Sequence, residues 1–287
     1  MSATMERTFT RRAPSSIPAR IKLSIAHTML VTQRNLYTLI RVPTVFIFEL
    51  VQPVMFVLLF RFIYAKQLRT LPPGLSYVDF LMPGIFVQNA IFGATTTAIG
   101  LAEDMKRGIV DRFRSLPMAR SAVLAGRTTF DLTKNFLLLI IVIGIGYLVG
   151  FRFQNGLLNA IGMVVLVLAV GFAFSWISAC IGLALKEVEA VQAASFTWIF
   201  PVVFVSSAFV PVAGMASFLQ VIARHNPVTY WCNLARYLAL GPLGITDVET
   251  GVPIDTFEGL LVKSVVWIVL LLAIFVPLGI RLYRKLT

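Results

Sequence analysis

Long apolar runs alternate with short polar breaks along most of this chain. The runs cover residues 45–64, 80–102, 128–150, 157–185, 191–210 and 260–280. Each is long enough, as a helix, to cross the ~30 Å of hydrocarbon in a bilayer. The pattern predicts an all-α integral membrane protein with six transmembrane helices. Between the second and third runs lies a charged stretch, Glu103 to Arg120 (EDMKRGIVDRFRSLPMAR). As a helix it would gather Met105, Ile109, Phe113 and Leu116 into one apolar stripe, with Lys106, Arg107, Asp111 and Arg114 off it. Gly108 weakens that helix slightly and Pro117 disfavours helical geometry at Leu116, so a rod of about four turns followed by a bend is expected. The stripe suits either docking onto a partner or lying on lipid headgroups.

Between the fifth and sixth runs the apolar segments are too short to cross, and two half-helices fit there. One covers Met215 to Arg224. The other has Asn226 as its N-cap and Pro227 at its first position, then continues through Tyr230, Trp231, Asn233 and Arg236. Tyr230 and Trp231 also suit an interfacial position. Gly241 to Glu258 is expected to be a loop. At the other end, residues 1–19 are rich in Arg, Ser, Thr and Pro and are expected to be a flexible tail. Residues 20–43 carry a partial stripe, Ile21, Ile25, Met29, Leu36 and Ile40, expected to form an interfacial helix. Residues 44–287 then make one transmembrane domain.

Composition agrees: 58% of residues are hydrophobic, 13% are charged, and the mean hydropathy is +0.85. The formal net charge of +12 does not call for nucleic acid. Placing both termini in the cytoplasm puts most Lys and Arg there, leaving Lys66, Arg69, Arg152, Arg224, Arg236 and Lys263 outside. Cys180 and Cys232 read as free thiols, and the first apolar run begins too far in for a cleaved signal peptide. No G-x-x-x-x-G-K-[ST] phosphate cradle occurs, so energy from ATP requires a partner. His27 and His225 belong to no cluster at metal-ligand spacing.

Within the runs, Gly93, Thr97 and Gly100, then Gly146 and Gly150, then Gly171, Ser175, Ser178 and Gly182 are expected to pack helices closely. Phe196, Phe200 and Phe204 form an aromatic stripe beside Thr197, Pro201, Ser206 and Ser207. It either lines a path or packs and faces lipid. Glu49 sits about two turns inside the first span, where a carboxylate must be paired, hydrated or protonated. Two readings stand: with Gln52 it recognises a cationic or hydrogen-bonding substrate, or it pairs with Lys134, near Asp131 and Asn135. The turn Lys186 to Glu189 is a solvated turn or a minor partner contact.

The run Leu81 to Gln88 (LMPGIFVQ) and the stretch LAEDMKRGIVDRFRSLPMARSAVLAGR, residues 101–127, closely resemble the membrane subunits of type-2 ABC exporters, particularly the daunorubicin-resistance permease group. The matching residues there are Glu103, Gly108, Arg112, Phe113, Arg114, Leu116, Pro117 and Arg127. The resemblance implies that Glu103, Met105, Ile109, Arg112, Phe113, Arg114, Leu116 and Pro117 form a coupling helix seated in a separate ATP-binding subunit. It implies that the first and fifth spans line a path, making Phe48, Gln52, Phe56, Phe196, Phe200 and Phe204 candidates, to which Glu49 is added for its carboxylate inside the first span. It also implies that the two half-helices re-enter the outer leaflet and close the exit, with Asn226, Pro227 and Arg236 at matching positions. The expected assembly pairs this chain with an identical or sister permease in a bacterial cytoplasmic membrane. ATP and magnesium would sit on the partner subunit, with no cofactor on this chain. The expected cargo is a hydrophobic drug or lipid. Alternatives are a proton-coupled exporter using Glu49, a permease for lipid-linked polysaccharide, and a scaffold without transport activity.

Overall fold

The computed structural model describes residues 43–64, 75–108, 120–246 and 254–285, together with Met29. The expected tail and most of the expected interfacial helix lie outside the described residues. Among those described, the elements are helical: α1 (Pro43–Leu59), running on into a π-helical turn (Phe60–Tyr64), α2 (Tyr77–Gly93), α3 (Thr95–Lys106), α4 (Arg120–Val149), α5 (Gly156–Leu185), α6 (Val188–Phe204), α7 (Ser217–His225), α8 (Pro227–Leu240) and α9 (Phe257–Lys285). Short 3-10 turns lie at Val212–Gly214 and Pro242–Ile245. Among the described residues four stretches are long and apolar enough to cross a membrane: Tyr77–Lys106, Gly126–Val149, Gly156–Leu185 and Phe257–Arg284. Val188–Phe204 is apolar but shorter.

α5 is the central helix, packed against α2, α3, α4, α6, α8 and α9. Its glycines admit their neighbours closely. A Cβ on Gly182 would lie 2.6 Å from the Ala98 carbonyl oxygen, and one on Gly171 would lie 3.3 Å from Ala90. These are the contacts that the small-residue stripes predict. The second apolar run is broken at Ala94, between α2 and α3. Thr95 Oγ1 donates to the Phe92 carbonyl and Thr96 Oγ1 to that of Gly93. Hydroxyls that bond back to the preceding turn favour a bend there.

Three boundaries depart furthest from the sequence pattern, each for a visible reason. The expected rod from Glu103 to Leu116 is interrupted: Glu103 and Met105 belong to the last turns of α3, which ends at Lys106. Gly108 has φ +66°, a left-handed conformation that suits glycine just past a helix end. Met105 is half-buried and packs against the cluster formed by Leu101, Trp176, Ala179, Leu183 and Tyr283. α4 begins at Arg120, well before residue 128. Arg127 is held there by the Thr96 carbonyl, so its charge does not force the helix to start later.

The third difference is the end of α6 at Phe204, which leaves Ser206 and Ser207 in a turn. At ~1.5 Å per residue, this 17-residue helix spans ~25 Å, less than the hydrocarbon thickness. Its last carbonyls would then end in an apolar medium unsatisfied. Asn226 Nδ2 donates to both Val202 O and Val205 O at 2.6 Å. The same side chain's Oδ1 accepts from Val228 N at 2.9 Å and caps α8, with Pro227 at its first position. One amide therefore closes one helix and opens another.

α8 runs antiparallel to α9. Tyr237 stacks on Phe257, and further along Trp231 Nε1 donates to the Ser264 carbonyl at 3.2 Å. Its far end is closed by Gln154 N, which donates to Ala239 O, and by Asn155 Nδ2, which donates to Tyr237 O.

Asn226→Ala removes all three bonds and should lower stability by ~3 kcal/mol, at ~1–3 kcal/mol per buried group left unpaired. Asn226→Asp keeps the cap on Val228 but sets a carboxylate against two carbonyl oxygens, so it should be no more stable than the alanine variant. Thermal unfolding of the detergent-solubilised protein checks this order. An aspartate variant that melts with the wild type would disprove the double cap.

Candidate functional site

Arg127, Asp131 and Lys134 recur at i, i+4 and i+7 on α4, so one face of an otherwise apolar helix carries three charges. That face meets α1 and α3. Lys134 Nζ lies 3.0 Å from Glu49 Oε1 and donates to Thr96 Oγ1 at 2.6 Å. Arg127 Nη2 donates to the Thr96 carbonyl at 2.9 Å, and its Nε lies 3.8 Å from Asp131 Oδ2. The Thr97 hydroxyl donates to the same carboxylate oxygen of Asp131. The guanidinium passes over Gly100, where a Cβ would sit 1.8 Å from Nη2. Two cations and two anions balance, and the Lys134 and Asp131 side chains are 3% and 0% exposed. Such a cluster holds α1, α3 and α4 together, because removing either sign strands the other in a low-dielectric interior.

Glu49 is therefore paired with Lys134. Its second oxygen, Asp131 Oδ1 and the Asn135 amide atoms make no hydrogen bond. The Asn135 amide instead lies against Gly93, beside the break at Ala94. Of the remaining first-span candidates, Gln52 is half-buried and Phe48 is 74% exposed on the outer face of α1.

Phe56, Phe196, Phe200 and Phe204 do come together, in a ladder joining α1 to α6. Phe196 and Phe200 have ring centroids 5.7 Å apart, Phe200 and Phe204 5.6 Å, and Phe204 and Phe56 6.4 Å. Phe92 of α2 adds a lower rung, 5.1 Å from Phe200. Phe209 adds the upper one, 5.4 Å from Phe56 and stacked at 5.0 Å on Phe60 of the π-helical turn. Phe200 and Phe204 are 41% and 44% exposed, so the ladder keeps an open aromatic edge. The sequence pattern missed Phe60, Phe92 and Phe209, since none falls on the period of the α6 stripe.

Arg236, on α8, is fully buried. Its Nε donates to the Phe80 carbonyl at 2.8 Å, and Nη1 donates to Ser207 Oγ and Asn233 Oδ1, each at 3.0 Å. Nη2 donates to the carbonyls of Ser207 and Ala208. The guanidinium carbon lies 3.6 Å from the centre of the Phe80 ring. Its hydrogen-bond acceptors are all neutral. The charge is solvated by backbone, amide and hydroxyl dipoles and by a ring face. It fixes the 205–209 turn, and with it Phe209, against α2 and α8. Gly84 permits this approach: a Cβ there would be 2.0 Å from Ala208 O.

Glu103 is exposed and pairs loosely with Arg107 at 3.6 Å. Ile109, Arg112, Phe113, Arg114, Leu116 and Pro117 lie outside the described residues. Among the described residues no group of three or more His, Cys, Asp or Glu side chains could hold a metal ion.

Glu49→Ala leaves Lys134 without its carboxylate and should cost ~3–5 kcal/mol of stability, while Glu49→Met combined with Lys134→Met should regain most of it. Melting temperatures of the single and double variants provide the check. An additive double variant would mean that the two charges do not interact.

A family model for the ABC-2 type transporter matches residues 26–240, a span that ends with α8. The daunorubicin resistance ABC transporter permease protein DrrB1 of Streptomyces coeruleorubidus is 31% identical over 233 residues, covering 81% of this chain and 77% of that protein. The probable doxorubicin resistance ABC transporter permease protein DrrC of Mycobacterium tuberculosis is 25% identical over 238 residues, covering 80% and 83%. The putative transport permease ycf38 of Cyanophora paradoxa is 25% identical over 219 residues, covering 75% and 74%. On a family match that takes in well over half of its length, this chain belongs to the ABC-2 type transporter family, as a membrane permease component.

Proposed function

We propose that this chain is the permease half of an ATP-driven exporter for hydrophobic or amphiphilic compounds. The observation that carries the cargo class is the aromatic ladder across α1 and α6, with its open edge at Phe200 and Phe204. A stack of rings without fixed charge favours flat or greasy molecules through contact area and the ring quadrupole. The names of the two drug-resistance relatives support the same class.

The proposed topology has six spans, made by α1 with its π-helical turn, α2–α3, α4, α5, α6 and α9, with both termini in the cytoplasm of a bacterial cell. α7 and α8 form the re-entrant pair. Two permeases, identical or sister chains, assemble with two ATP-binding subunits, and the segment from Glu103 to Pro117 transmits their motion. Nucleotide binds one of two conformations more tightly, and that difference drives alternating access. The balanced pairing of Glu49 with Lys134 supports a structural role for that carboxylate over a proton-carrying one.

Co-expression with an ATP-binding subunit and reconstitution test this reading. Ile109→Asp with Phe113→Asp should insert normally yet lose cargo-stimulated ATP turnover. Phe200→Ala with Phe204→Ala should raise the half-saturating cargo concentration about tenfold, at ~0.5–1.5 kcal/mol per lost aromatic contact. If neither pair changes turnover, the coupling and path assignments both fail.

A further inference from the structure

The α7–α8 hairpin points a basic pair into the depth of the membrane domain. Its tip is Asn226, and the two residues before it, Arg224 and His225, are both exposed. Depth follows from the register of α8 on α9. Trp231 meets Ser264, seven residues into α9 or ~10 Å from its start, and Asn226 lies a further ~7 Å along α8. α9 has 29 residues, ~43 Å, and overhangs ~30 Å of hydrocarbon by ~6 Å at each end. The tip therefore lies ~10 Å inside the apolar layer.

Among the described residues neither has an acidic partner at that depth. Arg224 makes no ion pair or hydrogen bond among the described residues. His225 Nδ1 lies 2.9 Å from the Val221 carbonyl, within its own helix, which leaves the other ring nitrogen open. An exposed cation facing acyl chains is costly, and the short histidine side chain cannot reach the interface from there. Ionisable residues at such depth face water-filled cavities and mark transport routes. The tip also adjoins the top of the aromatic ladder: Asn226 bonds the carbonyl of Val205, the residue after Phe204. Arg224 thus lies two residues from the amide that meets the top of the uncharged ladder. Lower down, the Glu49 carboxylate already has its cation in Lys134, so a positively charged cargo finds no free acid there.

We propose that Arg224, flanked by His225, is a head-group site at the upper end of the ladder, and that it takes the anionic head of an amphiphile whose apolar body lies along Phe196, Phe200 and Phe204. Carboxylate and phosphate heads both suit a guanidinium through charge-assisted hydrogen bonds. The inference rests on the amphiphile-export reading and narrows its cargo to acidic amphiphiles.

Two measurements on the full-length permease, assembled with its ATP-binding subunit in vesicles, test it. The first concerns water. Cys180 and Cys232 are buried and contribute little background. His225→Cys should react with a membrane-impermeant charged thiosulfonate at least about tenfold faster than Val269→Cys, an exposed α9 position at similar depth. Equal slow rates would mean that the tip faces lipid or is covered by another chain, and the site would be withdrawn.

The second concerns charge. Dodecyl phosphate should stimulate ATP turnover at about one-tenth the concentration needed by dodecyltrimethylammonium. Arg224→Gln should bring that ratio close to one, and Arg224→Lys should retain most of it. Vesicles carrying fluorescent phosphatidylglycerol or phosphatidylcholine distinguish the source of the head. ATP-dependent movement of the acidic lipid alone identifies a lipid cargo, and none of either with dodecyl phosphate still active identifies a soluble acidic amphiphile. Equal response of the wild type to both dodecyl probes overturns the head-group site and leaves the exporter reading standing. Failure of every amphiphile to stimulate turnover or move removes the exporter reading, and this inference with it.

Discussion

A peptide carbonyl left bare in hydrocarbon costs several kcal/mol, and the upper half of this molecule is arranged around avoiding that cost. α6 is apolar and shorter than the hydrocarbon thickness, so something must meet its last carbonyls. Asn226 does so, and that fixes where α8 begins. From that start α8 rises against α2, α5 and α9, and its far carbonyls are met in turn by Gln154 and Asn155. Midway along, Arg236 binds the carbonyls of Phe80, Ser207 and Ala208. α8 is thus tied at both ends and in the middle. α7 has no such ties: of its residues only Ala223 is buried, while Phe218, Val221 and Ile222 are more than half exposed. Within one hairpin, the second arm is a fixed post and the first an open face.

Much of this architecture is legible in the residue pattern. The apolar runs locate the helices, and the Asn-Pro pair marks the start of α8 because an N-cap and a proline at the first position are local chemistry. The small residues of α5 mark its close contacts for the same reason. Legibility fails where a partner distant in sequence decides. Nothing near Phe204 signals that α6 ends there, because the amide that ends it is 21 and 24 residues away. Arg236 looks like an ordinary outer-face cation until the turn at Ser207 and the carbonyl of Phe80 are folded around it. The charged face of α4 lies between these cases. Arg127, Asp131 and Lys134 are visible at helical spacing, but Glu49, Thr96 and Thr97, which complete the cluster, arrive from two other helices. The stretch beyond Glu103 is the opposite case, a continuous rod being interrupted at Gly108. The periodic stripe runs on through Gly108, whose left-handed backbone follows the end of α3 at Lys106.

The two polar nodes differ in a way that bears on transport. The one joining α1, α3 and α4 is electrically balanced and bonded to itself, so it can move as a unit without exposing net charge to the bilayer. The one around Arg236 carries a net positive charge, held by dipoles that belong to three separate segments, and separating those segments would leave the guanidinium unsolvated. The first is suited to a moving part and the second to a stationary one. The aromatic ladder runs between them. Its lower rung, Phe92, lies next to the break at Ala94, while its upper rung, Phe209, sits on the turn that Arg236 holds. Phe56 and Phe60 ride on α1, which belongs to the balanced node, so a shift of that node carries them past Phe204 and Phe209, which belong to the fixed part. In the proposed transport cycle, opening of the ladder should accordingly begin at the contacts of Phe56 with Phe204 and Phe209 and of Phe60 with Phe209, and the contacts of Phe92 with Phe196 and Phe200 should part last.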